Sequence, residues 1–175
     1  MTYPYPGLIP PPPPKRKVFV SYHHGGDQAY YDALVNAFAR SYELFYDNSL
    51  DRRVNSDNAE YVRWSISQNN ITGSSCTIVL CGGATAGRKY VDWEIKATLD
   101  KQHGLLGLWL PTLPLLANGG TMKPERLQDN IDSGFAKWLK WGAIPQELLK
   151  ATIEQAVNEK TALIINTRPM RQRNS

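Results

Sequence analysis

Glu94 follows Tyr90 by four residues, and both come shortly after the pair Gly82-Gly83. At about 100° per residue, Val91, Ile95, Thr98 and Leu99 fall on one stripe of a helix. Glu94 lies on the flank of that stripe, with Tyr90 one turn before it on the same side. A carboxylate at the edge of a core, beside an aromatic ring and above a glycine loop, could act on a bound sugar. The same spacing also describes a solvated helix glutamate, so the chemistry depends on what surrounds it. A second candidate is His23-His24. Adjacent histidines rarely chelate one metal from one loop, and a phosphate or ribose contact suits them better.

The elements that must position these residues read as alternating strands and helices. Lys17 to Tyr22 contains the apolar run Val18-Phe19-Val20, which suits a strand covered on both faces. Asp27 is placed to cap the helix that follows, and Tyr30, Leu34 and Phe38 mark its buried face. A short strand follows at Glu43 to Asp47, then a polar loop from Asn48 to Ser56. Asp57 and Glu60 have capping-box spacing and open a helix that buries Ala59, Val62 and Ile66. Cys76 to Cys81 is an apolar third strand. The helix carrying Glu94 runs to about Gln102, with Gly104 ending it. Leu105 to Leu110 is the fourth strand and Phe135 to Trp141 a short fifth. Pro145 opens a last helix with Leu149, Ile153, Ala156, Val157, Leu163 and Ile164 on its apolar stripe. This alternation predicts an α/β, doubly wound, mainly parallel five-stranded sheet in the order 2-1-3-4-5, with helices on both faces.

The 175 residues divide into a proline-rich arm (1–16), one domain (17–166) and a basic tail (167–175) expected to lie free of it. The arm holds the run Pro10 to Pro14, a polyproline II segment with no core to join. Within the domain, 111–134 reads as a long insertion loop. The net charge of +4 is concentrated at the ends. Lys15, Arg16 and Lys17 stand at the front, and Arg168, Arg171 and Arg173 at the back. Between them the 16 acidic residues outnumber the 14 remaining Lys and Arg. A domain with that balance is a poor binder of nucleic acid backbones.

Other classes are excluded by what the chain lacks. There is no phosphate-loop motif, no Gly-x-Gly-x-x-Gly after a strand and no Gly-x-Ser-x-Gly elbow. Three histidines and two cysteines occur in no ligand spacing, so no metal site is expected. Cys76 and Cys81 lie on one strand and read as buried thiols in a reducing compartment. No apolar run reaches membrane-spanning length and no signal segment opens the chain, so a cytoplasmic location and no membrane contact are expected.

Several of these stretches resemble the Toll/interleukin-1 receptor (TIR) family. Lys17-Val18-Phe19-Val20-Ser21-Tyr22 resembles the opening strand of TIR domains, which ends in Ser-Tyr or Ser-Phe, with polar residues following where His23 and His24 stand. Phe45-Tyr46-Asp47 resembles the end of the family's second strand, and Ile78-Val79-Leu80 its third. Tyr90-Val91-Asp92-Trp93-Glu94-Ile95 resembles the segment with an aromatic residue four positions before a catalytic glutamate. The likeness runs from about Lys17 to Leu110 and is nearest to the TIR subunit of bacterial Thoeris antiphage systems.

The resemblance implies an enzyme that breaks the nicotinamide–ribose bond of NAD to make a nucleotide signal in antiphage defence. NAD is then substrate, with no separate cofactor. Glu94 would be the catalytic carboxylate, stabilising an oxocarbenium-like transition state. Tyr22, His23, His24 and Tyr90 would bind substrate, helped by Asp47, Ser49 and Leu50 from the second loop. The attacking group sets the product: ADP-ribose from water, a cyclic isomer from the same nucleotide, a conjugate from another molecule. The residues do not choose among these. The resemblance further implies self-assembly through TIR surfaces and a downstream effector reached through the product. Two other readings stay open, a non-catalytic TIR adaptor and a flavodoxin-like nucleotide-binding protein. Trp93 points almost opposite the core stripe, so a protein–protein contact or the 111–134 insertion is expected to cover it.

Overall fold

The computed structural model describes residues 9–46, 58, 61, 65, 70–142 and 144–175. Nine named elements follow in chain order: β1 (Arg16–Ser21), α1 (His24–Phe38), β2 (Tyr42–Phe45), β3 (Cys76–Cys81), α2 (Lys89–Asp100), β4 (Gly104–Trp109), α3 (Glu125–Asp132), β5 (Lys137–Lys140) and α4 (Gln146–Val157). The strands form one five-stranded sheet in the order β2-β1-β3-β4-β5, with every pairing parallel. The predicted order and direction are therefore those found. Val18, Phe19, Val20, Ile78, Val79, Leu80, Leu106 and Leu108 are all fully buried, as the apolar runs require.

Helices cover both faces. On one, α1 and α4 pack Tyr31, Leu34, Phe38, Leu149 and Ile153 against Val18, Val20, Ile78 and Leu80. On the other, α2 and α3 pack Val91, Ile95, Leu99 and Leu127 against Val79, Cys81 and Leu105. A parallel strand needs this double cover. The two cysteines are free and buried, and burial pushes the Cys76 thiol up to about 12.

Several boundaries differ from expectation for local reasons. Asp27 is not a cap. Helix α1 starts at His24, so Asp27 falls in its first turn, buried, while His23 takes the cap position without a side-chain bond. Leu34 and Phe38 are buried as expected, with Tyr31 beside them on that face, while Tyr30 is only partly buried at its edge. Gly104 does not end α2 but begins β4. Gln102 makes the left-handed turn instead, with φ 58°. The stretch 111–134 is not a loop throughout, because α3 fills its second half. Pro124 stands at its N-cap, and the positions it buries include Arg126 and Asn130, polar residues that hide the apolar stripe. Of the helix expected from Asp57, the positions Ala59, Val62 and Ile66 lie outside the described residues, as does the Asn48–Ser56 loop. Helix α4 stops at Val157, so Leu163 and Ile164 are not on its stripe; they pack against the cluster on the other face of the sheet.

The basic tail does not lie free. Residues 168–175 run along the outer side of α2, with the Ser175 N–H donating to the Gly87 carbonyl and the Lys89 N–H donating to Asn174 Oδ1, both at 2.9 Å. Trp93 is buried beneath this segment, 2% exposed, and its Nε1 donates to the Arg171 carbonyl at 2.9 Å. Neither the insertion nor a second protein is needed to cover it, which corrects both expectations.

Gly104 marks where β4 meets α4. A Cβ there would lie 2.7 Å from the Ala156 carbonyl carbon and the Val157 nitrogen, two main-chain atoms that cannot rotate aside. We expect Gly104→Ala to cost about 1–3 kcal/mol in urea denaturation. Gly73→Ala meets nothing within 4 Å and serves as the control, with no loss and a gain of up to about 1 kcal/mol.

Candidate active site

The switch point between β1 and β3 gathers most of the described candidate residues. In open α/β sheets ligands bind beyond the carboxyl ends of the strands, where the strand order reverses. Ser21 ends β1, and side chains alternate across the sheet. Val20 and Tyr22 therefore face α1 while Ser21 faces α2. Glu94 meets it there: Ser21 Oγ donates to Glu94 Oε2. Glu94 is 3% exposed, so the flank position on the wheel is a buried one, and the solvated reading falls. Burial of a carboxylate is tolerated only with hydrogen-bond partners.

His23 and Tyr90 join the two sides of the crest, with His23 Nδ1 and the Tyr90 hydroxyl 2.9 Å apart. Tyr90 is buried on α2, one turn before Glu94. Tyr22 and His24 belong to the other side. Their rings are 4.2 Å apart, in a cluster where Tyr22 stacks on Tyr31 at 4.9 Å and meets Tyr46 edge-on at 5.4 Å. Burial, reinforced by Tyr46 and Tyr31, pushes the Tyr22 phenol well above its ordinary value. It stays protonated and donates to Gln28 Oε1 at 2.8 Å. The structure thus brings Glu94, Tyr90 and His23 together and sets Tyr22 and His24 on the opposite face. Asp47, Ser49 and Leu50 lie outside the described residues.

The space that the glycine loop leaves is taken by the protein's own atoms. A Cβ on Gly82 would sit 2.4 Å from either Asp27 carboxylate oxygen, and one on Gly83 would sit 2.9 Å from the Thr112 carbonyl. The glycines admit protein atoms. They let the first turn of α1 and the start of the 111–124 loop close on the end of β3. Asp27, 2% exposed, accepts long hydrogen bonds from Thr112 at 3.3 Å and Thr85 at 3.5 Å. Burial raises its carboxyl above the usual range, while Thr112, the charge of His23 and Thr85 pull the other way.

Two partnerships carry no local signature. Ser21 is legible only through strand alternation. The pair Asp92–Arg126, at 2.8 and 3.2 Å, joins residues 34 positions apart. Among the described residues no group of three or more His, Cys, Asp or Glu side chains converges to hold a metal. Among the described residues, neither of two cavities of about 230 Å³ is lined by Glu94. One lies between α2, α3 and the tail, and the other between α1 and α4.

An all-parallel sheet in this order, with helices on both faces, is a doubly wound, flavodoxin-like α/β fold, consistent with a TIR-like domain. The chain belongs to the family described as Thoeris protein ThsB, TIR-like domain, whose model matches residues 19–114. That span runs from β1 through the start of the loop after β4, and holds Ser21, His23, Tyr90 and Glu94 but not the 168–175 segment. Among curated proteins none matches the chain. Membership supports a TIR-domain role in defence. Among the described residues no helix is long and apolar enough to cross a membrane.

Two outcomes follow from the burial. Ser21→Ala removes the hydroxyl that donates to Glu94, and we expect a loss of about 1–3 kcal/mol in urea denaturation. Asp27 has its carboxyl raised in the folded state, so the fold binds the proton more tightly than the unfolded chain. Its contribution is complete below the ordinary carboxylate value and is lost as pH rises through the raised one. Asp27→Asn should flatten that part of the stability–pH curve, with the variant gaining on the wild type as pH climbs toward neutral.

Proposed function

We propose that this chain is an NAD-cleaving TIR enzyme of the glycohydrolase or cyclase type, acting in the cytoplasm in antiphage defence. One observation carries the reading: Glu94 is buried at the switch point on the helix after β3, with Ser21 and Tyr90 beside it. A carboxylate held out of bulk water stabilises positive charge more strongly than a solvated one. As the nicotinamide leaves, charge develops on the ribose, and Glu94 faces it. Ser21 fixes the rotamer of the carboxylate. Tyr90 flanks the ribose, with its hydroxyl held by His23. The aromatic group of Tyr22, His24 and Tyr46 receives the other end of the nucleotide, and Asp47, Ser49 and Leu50 are further substrate-binding candidates by the family resemblance. NAD is the substrate, copies of the chain assemble through TIR surfaces, and the product carries the signal to an effector.

A second reading, a non-catalytic assembly module, is favoured by the same burial, since Glu94 at 3% exposure also fits a structural role.

Incubation of the purified chain with NAD separates them. Nicotinamide release is followed by chromatography, and the adenine-containing product is identified by mass spectrometry. The enzyme reading expects release by the wild type and a fall of about 100-fold or more in Glu94→Gln. The glutamine keeps the shape and can still accept from Ser21. Equal rates in the two proteins would remove the carboxylate from the chemistry. No release by the wild type as a concentrated assembly would favour the module.

A further inference from the structure

Residues 168–175 have no helix or strand of their own, yet α2 and α3 hold them largely through main-chain groups. Arg126 is the centre of that grip. It is 1% exposed, and all five guanidinium N–H donors have an acceptor. Nε and one Nη2 hydrogen go to the two Asp92 oxygens, and one Nη1 hydrogen goes to Asn166 Oδ1. The remaining two go to the carbonyls of Arg168 and Pro169, each at 3.0 Å. Asp92 Oδ2 also accepts the Arg171 N–H at 2.9 Å, and Trp93 Nε1 donates to the Arg171 carbonyl at 2.9 Å. Met170 packs inward against the cluster of Phe19, Ile71, Trp93 and Ala97. Arg168 pairs with Asp129 and Glu125 on α3.

An empty face would exchange these charge-assisted hydrogen bonds for bonds to water and uncover the apolar cluster that Met170 packs against, so an occupant stabilises it. What it requires is two consecutive carbonyls, an N–H and a carbonyl two residues on, an apolar side chain between, and positive charge at the flank. Any extended basic peptide supplies the main-chain part. The resident segment also underfills the face: a cavity of about 230 Å³ remains between it and the helices, lined by Ala86, Asp92, Pro124, Glu125, Met170 and Arg171 among others.

We propose that the α2–α3 face is a binding site for an extended basic peptide, with residues 168–175 as its resident, displaceable occupant. The proposal stands apart from NAD chemistry. A tethered occupant has an effective concentration on the order of millimolar, so a free peptide at micromolar concentration competes only when the tethered copy is weakened.

The test uses the full-length chain and a synthetic, fluorescein-labelled peptide of residues 167–175, followed by anisotropy. Met170→Asp combined with Arg171→Pro removes the apolar anchor and the N–H given to Asp92, and leaves both helices unchanged. The variant should bind the peptide one to one, at least about tenfold more tightly than the wild type does. A peptide carrying Arg171→Pro should not bind it. A folded variant that fails to bind, or wild type and variant binding equally, overturns the proposal. If the variant does not fold alone, refolding on addition of the peptide supports the site. Failure to refold shows the segment to be part of the fold and overturns it.

Discussion

Helix α2 is buried on nearly every side, and everything polar that goes under with it must find a partner. Nine of its twelve residues are buried, Asp92, Glu94 and Thr98 among them. An apolar stripe faces the sheet in the ordinary way, but each of these three needs an acceptor or a donor of its own. Ser21 supplies it for Glu94 from the end of β1, and Thr98 pairs with Thr77 on β3 at 2.7 Å. Arg126 supplies it for Asp92 from α3, and Arg126 in turn needs the carbonyls of 168 and 169. One constraint therefore ties the sheet, two helices and the final segment together around the helix that carries the candidate carboxylate.

The same constraint explains what could be read in the chain. Strands β1 and β3 are apolar runs because a parallel strand is covered on both faces, and the strand order follows from short right-handed crossovers. The stripe of Val91, Ile95 and Leu99 was legible for the same reason. Polar burial leaves no such pattern in the chain. A helical wheel treats the side opposite the stripe as water, yet Trp93 and Asp92 are covered by residues nearly eighty positions away. The helix α3 was hidden because it buries Arg126 and Asn130, whose partners no local pattern predicts. Asp27 was misread as a cap because its carboxylate serves Thr85 and Thr112 across the crest and not the helix it belongs to.

For the site, the resemblance grouped Tyr22, His23, His24, Asp47, Ser49, Leu50 and Tyr90 around Glu94; the structure joins His23 to Tyr90, one turn before Glu94, and sets Tyr22 and His24 apart from them. It also divides the crest into two sides. Ser21, Glu94 and Tyr90 face α2, Tyr22 and His24 face α1, and His23 reaches across. On the proposed reading, a dinucleotide would lie along this crest with its reactive ribose on the carboxylate side and its other end among the aromatic rings. A small compact substrate would leave one side unused.

The central claim is that Glu94 stands at the ribose of bound NAD. The most direct measurement is a crystal structure of the chain with a non-hydrolysable NAD analogue whose nicotinamide bond is a carbon–carbon bond. The account predicts the Glu94 carboxylate within hydrogen-bond reach of the ribose that carries the nicotinamide, with Tyr90 beside that ring. An analogue bound elsewhere, with Glu94 still closed against Ser21, would contradict it.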